Sequence, residues 1–95
     1  MKRTVTVSYG HAEIVRTPFV SGVTYRCARW EVSETVGTYT TDRGRARVLA
    51  RTERELRESR GSRVVADTYT RRPSRVLFYR DPYGSLRFAE IRTTD

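Results

Sequence analysis

One stretch of this chain has the pattern of a helix, and the stretches on both sides of it have the pattern of strands. Thr41 can cap the helix through its hydroxyl group, and Asp42 adds negative charge to the first turn, where the helix dipole favours it. Gly61 follows Arg60 as a left-handed C-terminal cap would. The sequence therefore predicts a helix over about 42–60.

The predicted helix has too little apolar surface to fold alone. At 100° per residue, one face holds two leucines, two alanines and a glutamate, namely Ala46, Leu49, Ala50, Glu53 and Leu56. Val48 points away from that stripe, and a neighbouring flank carries Arg43, Arg47, Arg51 and Arg54. Such a thin stripe can cover a sheet but cannot form a helical bundle. We therefore expect the helix to pack across a sheet built by the remaining residues.

The N-terminal residues predict a tight hairpin. Residues 4–9 alternate between apolar and polar, which is typical of a half-buried strand. Gly10 and His11 then form a two-residue connection with glycine first, as in a type II′ turn. Residues 12–17 can return as the second strand, which Pro18 ends.

The longest predicted strand covers residues 23–33. Halfway along it, the apolar residues change from one face of the strand to the other. The apolar residues lie first on one side and then on the other, as Val23, Tyr25 and Cys27 followed by Ala28, Trp30 and Val32. We expect a β-bulge near Cys27-Ala28, with a strand covered on both faces as the alternative. Residues 35–40 predict a short strand that leads into the helix.

Three further strands are predicted after the helix. Residues 63–70 form the first, and residues 71–74 break it. Residues 75–80 and 85–92 flank Asp81-Pro-Tyr-Gly84, which suits a type I turn and a hairpin. The predicted order is β-β-β-β-α-β-β-β, without helices between strands for parallel crossovers. The fold class is therefore α+β, with 95 residues in a single domain that is mainly antiparallel sheet.

The composition limits the classes of function. No apolar run approaches the roughly 20 residues of a membrane span, and the N-terminus lacks the apolar core of a signal peptide, so we expect a cytoplasmic protein without membrane contacts. Cys27 and His11 are the only residues of their types, which leaves no internal disulfide and no zinc-ligand cluster. We expect neither a metal nor a cofactor.

The net charge of +8 favours phosphate backbones or acidic proteins as partners. Arginine outnumbers lysine 18 to one, which either serves bidentate contacts or reflects a GC-rich genome. The candidate contact residues are Arg43, Arg47, Arg51 and Arg54 on the helix, and Arg26, Arg29, Arg71, Arg72, Arg75, Tyr79, Arg80, Tyr83 and Arg87 elsewhere.

Each candidate set also has a structural interpretation. Arg51 with Glu55 and Arg54 with Glu58 are i,i+4 pairs, which are typical of an ordinary solvated helix face. We expect the large rings of Trp30, Phe78 and Phe88 to lie in the core. Tyr79 and Tyr83 remain open to stacking against bases.

Catalysis is not expected. A metal-free ribonuclease would need a proton-transfer group and cations, such as His11, Glu31, Tyr79 and arginines. Their spacing does not bring them together, and Cys27 has the surroundings of a small buried hydrophobe. No phosphate-binding glycine motif is present.

Two partial resemblances bear on function. Residues 23–58, with Tyr39-Thr-Thr-Asp-Arg-Gly-Arg-Ala46, resemble the arm-site DNA-binding domain of tyrosine recombinases. That resemblance implies a sheet that reads DNA and a helix that supports it. Arg75-Val-Leu-Phe-Tyr-Arg80 and its returning strand are similar to the terminal hairpin of RelE-type toxins, which cleave messenger RNA.

The leading interpretation is a small, non-enzymatic module that binds nucleic acid, DNA more than RNA, as an accessory protein of a phage or mobile element. The alternative is a protein-interaction module that modulates or inhibits an acidic partner, and a ribonuclease is third. The oligomeric state is open, with a homodimer through an edge strand as one arrangement. We expect the specific site on the sheet and the terminal hairpin, with the helix as a brace.

Overall fold

A five-stranded antiparallel sheet with one helix forms the protein, in a computed structural model that describes residues 2–16, 23–69 and 75–93. The elements are β1 (Arg3–Val15), β2 (Thr24–Tyr39), α1 (Asp42–Arg60), a 3₁₀ turn (Gly61–Arg63), β3 (Val64–Tyr69), β4 (Arg75–Arg80) and β5 (Leu86–Thr93). The strand order is β2-β1-β5-β4-β3. The predicted α+β class, the helix bounds and the terminal hairpin are confirmed.

The predicted N-terminal hairpin is wrong, because β1 continues through Gly10 and His11 without a turn. A Cβ atom at Gly10 would overlap the carbonyl oxygen of Arg29 and lie 2.9 Å from the ring of Phe88. This glycine therefore marks a close approach between strands and not a chain reversal. The two strands predicted over 23–33 and 35–40 are likewise one continuous strand, β2.

Three irregularities interrupt the pairing of β2 with β1. The register shifts leave Ala28, Glu31 and Val36 of β2 as extra residues opposite β1. Such bulges bend a strand and increase its twist. The bulge predicted near Cys27-Ala28 is confirmed.

The stripe that the helix buries is rotated from the one predicted, although Leu56 is buried and Leu49 packs against the core as expected. Val48, Thr52 and Leu56 face the sheet, whereas Ala46 and Ala50 are exposed. The reason is a contact that is remote in sequence, since a Cβ atom at Gly37 of β2 would lie 2.6 Å from Val48 Cγ1. Val48 thus occupies the space that the glycine leaves, and this rotates the helix. The Thr52 hydroxyl donates to the Val48 carbonyl at 2.7 Å, so its burial costs no hydrogen bond.

The two ends of α1 differ in how well they match expectation. The predicted N-cap is confirmed, because Thr41 Oγ1 accepts a hydrogen bond from the Gly44 N–H at 3.0 Å. The predicted left-handed cap is wrong, since Gly61 is right-handed, with φ −54° and ψ −42°. The chain instead tightens into the 3₁₀ turn, and the Gly61 N–H donates to the Arg57 carbonyl.

Apolar clusters lie on both faces of the sheet. On the helix side, α1 and Tyr39 cover sheet residues that include Val5, Val7, Leu77, Tyr79, Ala89 and Ile91. On the far side, Val76, Phe78 and Phe88 are covered by Ala12, Tyr25, Cys27 and Ala66. The bent β1–β2 ribbon therefore contributes to the covering of the face that the helix leaves open.

The predicted core positions of Phe78 and Phe88 are confirmed, and that of Trp30 is wrong. Phe88 is 0% exposed, whereas Trp30 is 50% exposed. The Trp30 ring meets Phe88 edge-on at 5.2 Å, so it covers the core from outside. Tyr25 stacks on Phe78 in a similar way, with 5.6 Å between ring centres.

The far side of the sheet also holds polar side chains. Glu90 is 5% exposed, and its carboxylate lies 2.6 Å from Arg92 Nε. Burial, and then the negative charge of Glu90, raise the pKa of the Cys27 thiol to about 11. Cys27 therefore stays protonated at neutral pH, but it is half-buried and not fully buried as expected.

Because of the close approach at Gly10, the effect of alanine on stability should depend strongly on which glycine it replaces. Gly10→Ala should lower the free energy of unfolding by more than about 3 kcal/mol, because the added methyl group meets backbone and a buried ring. Gly61→Ala is the matched control. Gly61 has helical dihedral angles and no atom within 4 Å of a Cβ, so alanine should be neutral or stabilising by about 0.4–1 kcal/mol. Urea unfolding of the two variants measures both effects, and equal stabilities would contradict the strand assignment.

Candidate nucleic-acid interface

The outer face of α1 carries a row of exposed guanidinium groups. At 100° per residue, Arg43, Arg47 and Arg54 lie opposite the buried stripe, and all three are exposed. None of them lies within ion-pair distance of a carboxylate in the part of the chain that the structure describes. We call these three residues the outer row.

Two other predicted contact residues are held by the protein itself. Arg51 turns towards the sheet, where its Nη2 donates to the carbonyl of Val36 at 2.9 Å. Arg75 forms an ion pair with Glu53, which also accepts from Arg57 at 3.3 Å. The predicted pairs Arg51–Glu55 and Arg54–Glu58 are wrong, since neither forms among the described side chains. Arg51 is therefore a brace between helix and sheet.

Beyond the end of α1, one row of side chains crosses the helix-side face of the sheet. The strand registers pair Arg29 with His11, His11 with Arg87, and Arg87 with Tyr79. Cross-strand partners share a face, so these four side chains are neighbours. The spacing in the sequence does not indicate this arrangement, and the strand registers bring His11 into one row with Tyr79 and two arginines.

Glu31 joins this row through its position at a bulge. Its carboxylate lies 2.5 Å from His11 Nε2, and 3.1 Å from both Arg29 Nη2 and Arg87 Nη2. The Arg29 hydrogen bond is the main reason that the pKa of Glu31 is lowered. Arg87 also reaches Asp81 at 3.7 Å. The result is an ionic cluster in which two guanidinium groups, of Arg29 and Arg87, face two carboxylates, of Glu31 and Asp81.

A cavity of about 350 Å³ adjoins this cluster at the C-terminal end of α1. It is lined by Ser59, Arg60, Arg63, Tyr79, Asp81, Pro82, Tyr83 and Arg87. The Arg60 guanidinium carbon lies 5.2 Å from the ring centres of both Tyr9 and Tyr79. These distances are within the range of cation–π attraction, so Arg60 is held in place at the cavity.

The two tyrosines under Arg60 are not open contact residues. Tyr79 is 6% exposed, so the prediction that it is available for stacking is wrong. Tyr9 donates from its hydroxyl to Glu34 Oε1 at 3.1 Å. Burial and the charge of Glu34 raise the pKa of Tyr9 to about 12, so its phenol stays neutral at physiological pH.

Tyr83, in contrast, is 93% exposed and stands on a firmly hydrogen-bonded turn. Asp81 Oδ1 accepts from the N–H groups of Tyr83 and Ser85, each at 2.9 Å. Gly84 has φ +85°, which the turn requires, and its carbonyl accepts from Arg80 Nη1 at 2.9 Å. Arg80 is therefore part of the turn, whereas the Tyr83 ring is presented to solvent.

Of the remaining predicted contact residues, one forms an ion pair within the protein and two lie outside the described residues. Arg26 forms an ion pair with Glu13 on the neighbouring strand. Arg71 and Arg72 lie outside the described residues. Sequence reasoning missed Arg60 and Arg63, for which the only signal was basic charge at the end of the helix. It also missed Tyr9, whose place in an alternating strand indicated only burial.

Comparison with known proteins gives no guide to the chemistry of this surface. Within the described ranges, no helix is long and apolar enough to cross a bilayer, and no group of three or more histidine, cysteine or acidic residues is arranged to hold a metal ion. No family model, curated protein or solved structure matches the chain.

Proposed function

We propose that this protein is a small basic module that binds nucleic acid without catalysis, preferring DNA, and that the outer row supplies the main contacts. The observation that carries the proposal is that Arg43, Arg47 and Arg54 are exposed together and unpaired among the described residues. Unpaired guanidinium groups release counterions when they meet phosphates, and this release drives binding.

The dimensions of the outer row suit a duplex. From position 43 to position 54 the helix rises by about 16 Å at 1.5 Å per residue. That length spans several phosphates, because duplex DNA carries one negative charge per roughly 1.7 Å of its axis. The major groove of B-DNA is about 12 Å wide and admits a helix, whereas that of RNA is too narrow. These dimensions favour DNA over RNA.

The accessory role in a phage or mobile element is proposed from the arginine-rich composition, and residues 23–58 separately resemble arm-site domains. In those domains the sheet reads DNA and the helix supports it. Here the exposed arginines of the helix carry the proposal instead, since Arg26 is paired with Glu13 and Arg29 with Glu31. Affinity is thus expected to come from the backbone of the nucleic acid, with little dependence on base sequence.

The outer row predicts a steep and site-specific dependence of binding on salt. In a fluorescence-anisotropy titration with duplex DNA, Arg47→Gln/Arg54→Gln should reduce the slope of log K against log salt by about 2. Arg16→Gln/Arg26→Gln removes the same charge from the far end of the β1–β2 ribbon and should leave the slope nearly unchanged. Equal effects of the two variants would mean that only net charge matters. An affinity for DNA that does not change with salt concentration would contradict the proposal.

A protein partner is the second candidate, and the exposed apolar side chains of β2 favour it. Trp30 is 50% exposed and Val32 is 58% exposed on this edge strand. Large exposed apolar side chains beside arginines are typical anchors for an acidic partner. In a pull-down with this protein as bait, such a partner should stay bound in stoichiometric amount after nuclease treatment. The Val32→Glu variant should no longer bind it. Val23→Glu is the control, since Val23 is similarly exposed, at 47%. Loss in both variants, or in neither, would contradict this candidate.

Ribonuclease activity is the third candidate, favoured by the contact between His11 and Glu31 beside Arg87. The two groups contact each other directly, whereas in-line phosphoryl transfer needs a base and an acid on opposite sides of the phosphorus. We therefore expect labelled RNA to stay intact at high protein concentration, with and without ribosomes. Cleavage that His11→Gln abolishes would overturn the proposal of a non-enzymatic module.

A further inference from the structure

We propose that the cavity at the C-terminal end of α1 binds one unpaired nucleotide, with its phosphate on Arg60 and Arg63 and its base against the ring of Tyr83. This site is separate from the outer row and does not depend on it. The nucleotide is either a free nucleoside monophosphate or an unpaired residue of a strand.

The charge balance of the cavity leaves two arginines for an anion. Arg60 Nη1 donates to Ser59 Oγ at 2.7 Å, and Arg63 Nη2 donates to the Ser59 carbonyl at 3.1 Å. Neither has a carboxylate within ion-pair distance in the described part of the chain. A guanidinium has five N–H donors, so most of them remain available for phosphate oxygens.

The carboxylate in the cavity does not cancel this charge. Asp81 Oδ1 accepts from two backbone N–H groups of the turn, and Oδ2 lies 3.7 Å from Arg87 Nη1. Arg87 also contacts Glu31 at 3.1 Å. Arg29 is the second guanidinium on Glu31, so two carboxylates face two guanidinium groups. The charges of Arg60 and Arg63 come in addition to these four.

The end of a helix normally disfavours anions, because its last carbonyl groups carry partial negative charge. Here the carbonyls of the last turn accept hydrogen bonds. The Ser59 hydroxyl donates to Leu56, at 3.1 Å, the Gly61 N–H donates to Arg57, and Arg63 donates to Ser59. These donors offset the dipole where the phosphate would lie.

The two proposed contact groups are held before any ligand arrives. Arg60 lies 5.2 Å from the rings of both Tyr9 and Tyr79, so little side-chain freedom is lost when it binds. Tyr83 is 93% exposed on a turn fixed by Asp81, and exposed aromatic rings beside cations are typical platforms for unpaired bases. The volume of about 350 Å³ is in the range of sites that hold one small ligand.

The test is a titration of the ¹⁵N-labelled full chain followed by NMR, with adenosine 5′-monophosphate, a short single-stranded oligodeoxyadenylate, and inorganic phosphate as separate probes. Backbone amide shifts should centre on Arg63, Tyr83 and Ser85. Binding of the monophosphate identifies a free nucleotide as the ligand, and binding of the oligonucleotide alone identifies a strand. Shifts centred elsewhere overturn the proposal, as does inorganic phosphate binding as tightly as the nucleotide probes.

Matched variants separate this site from the outer row. Tyr83→Ala should weaken binding of the nucleotide probe about tenfold, because it removes one stacked base contact, whereas Tyr83→Phe should retain it. Arg63→Gln should also weaken it, and Arg47→Gln/Arg54→Gln should not. Unchanged affinity in Tyr83→Ala, whose exposed side chain is not needed for folding, overturns the proposal. Failure of duplex binding leaves these outcomes unaffected, so the two proposals are tested independently.

Discussion

The structure depends on the close approach of β1 and β2 at Gly10. The absence of a side chain there lets the Arg29 carbonyl and the Phe88 ring come near the β1 backbone. The ribbon can therefore pair along its full length and still bend, so that Tyr25 and Cys27 reach the far side of the sheet. β1 also pairs with β5 and supplies residues to both apolar clusters, so the position of β1 affects both faces of the sheet.

The bend also determines which polar side chains of the sheet are not covered by the helix. The helix covers only part of its side of the sheet, and the strands continue past its C-terminal end. Arg29, His11 and Arg87 lie in that uncovered region, next to the buried Tyr79 and to Arg60 at the end of the helix. The arginines thus divide into those that hold the fold together, such as Arg51 and Arg87, and those without a carboxylate partner among the described residues, such as the outer row.

Short sequence motifs correctly predicted the turn and the helix cap, which are formed by contacts between residues close in sequence. The Asp81-Pro-Tyr-Gly84 turn and the Thr41 cap are each made by residues within four positions of one another, and both are confirmed. The errors arise where distant residues decide. A Gly-His dipeptide is equally compatible with a turn and with a crowded strand, and only the position of Arg29 distinguishes them. The helix phase likewise depends on Gly37, which lies outside the helix.

The candidate site was harder to predict for the same reason. Glu31 and Arg87 are 56 positions apart, and their contact requires the register of three strands and a bulge. Arginine-rich composition indicated an anionic partner but not which guanidinium groups are free. That distinction follows from carboxylate and carbonyl partners that no sequence spacing encodes, as the pairing of Arg75 with Glu53 illustrates.

The irregular pairing of β2 has a further consequence for how the protein behaves in a crowded solution. β2 lies at the edge of the described sheet, where an open strand invites other chains to add to it. Its bulges divide it into segments that pair with β1 over at most four consecutive residues, as at 24–27 and 32–35. A second chain would find no long straight template there. The irregular pairing thus disfavours self-assembly through this long edge, while side chains such as Trp30 and Val32 stay exposed on it.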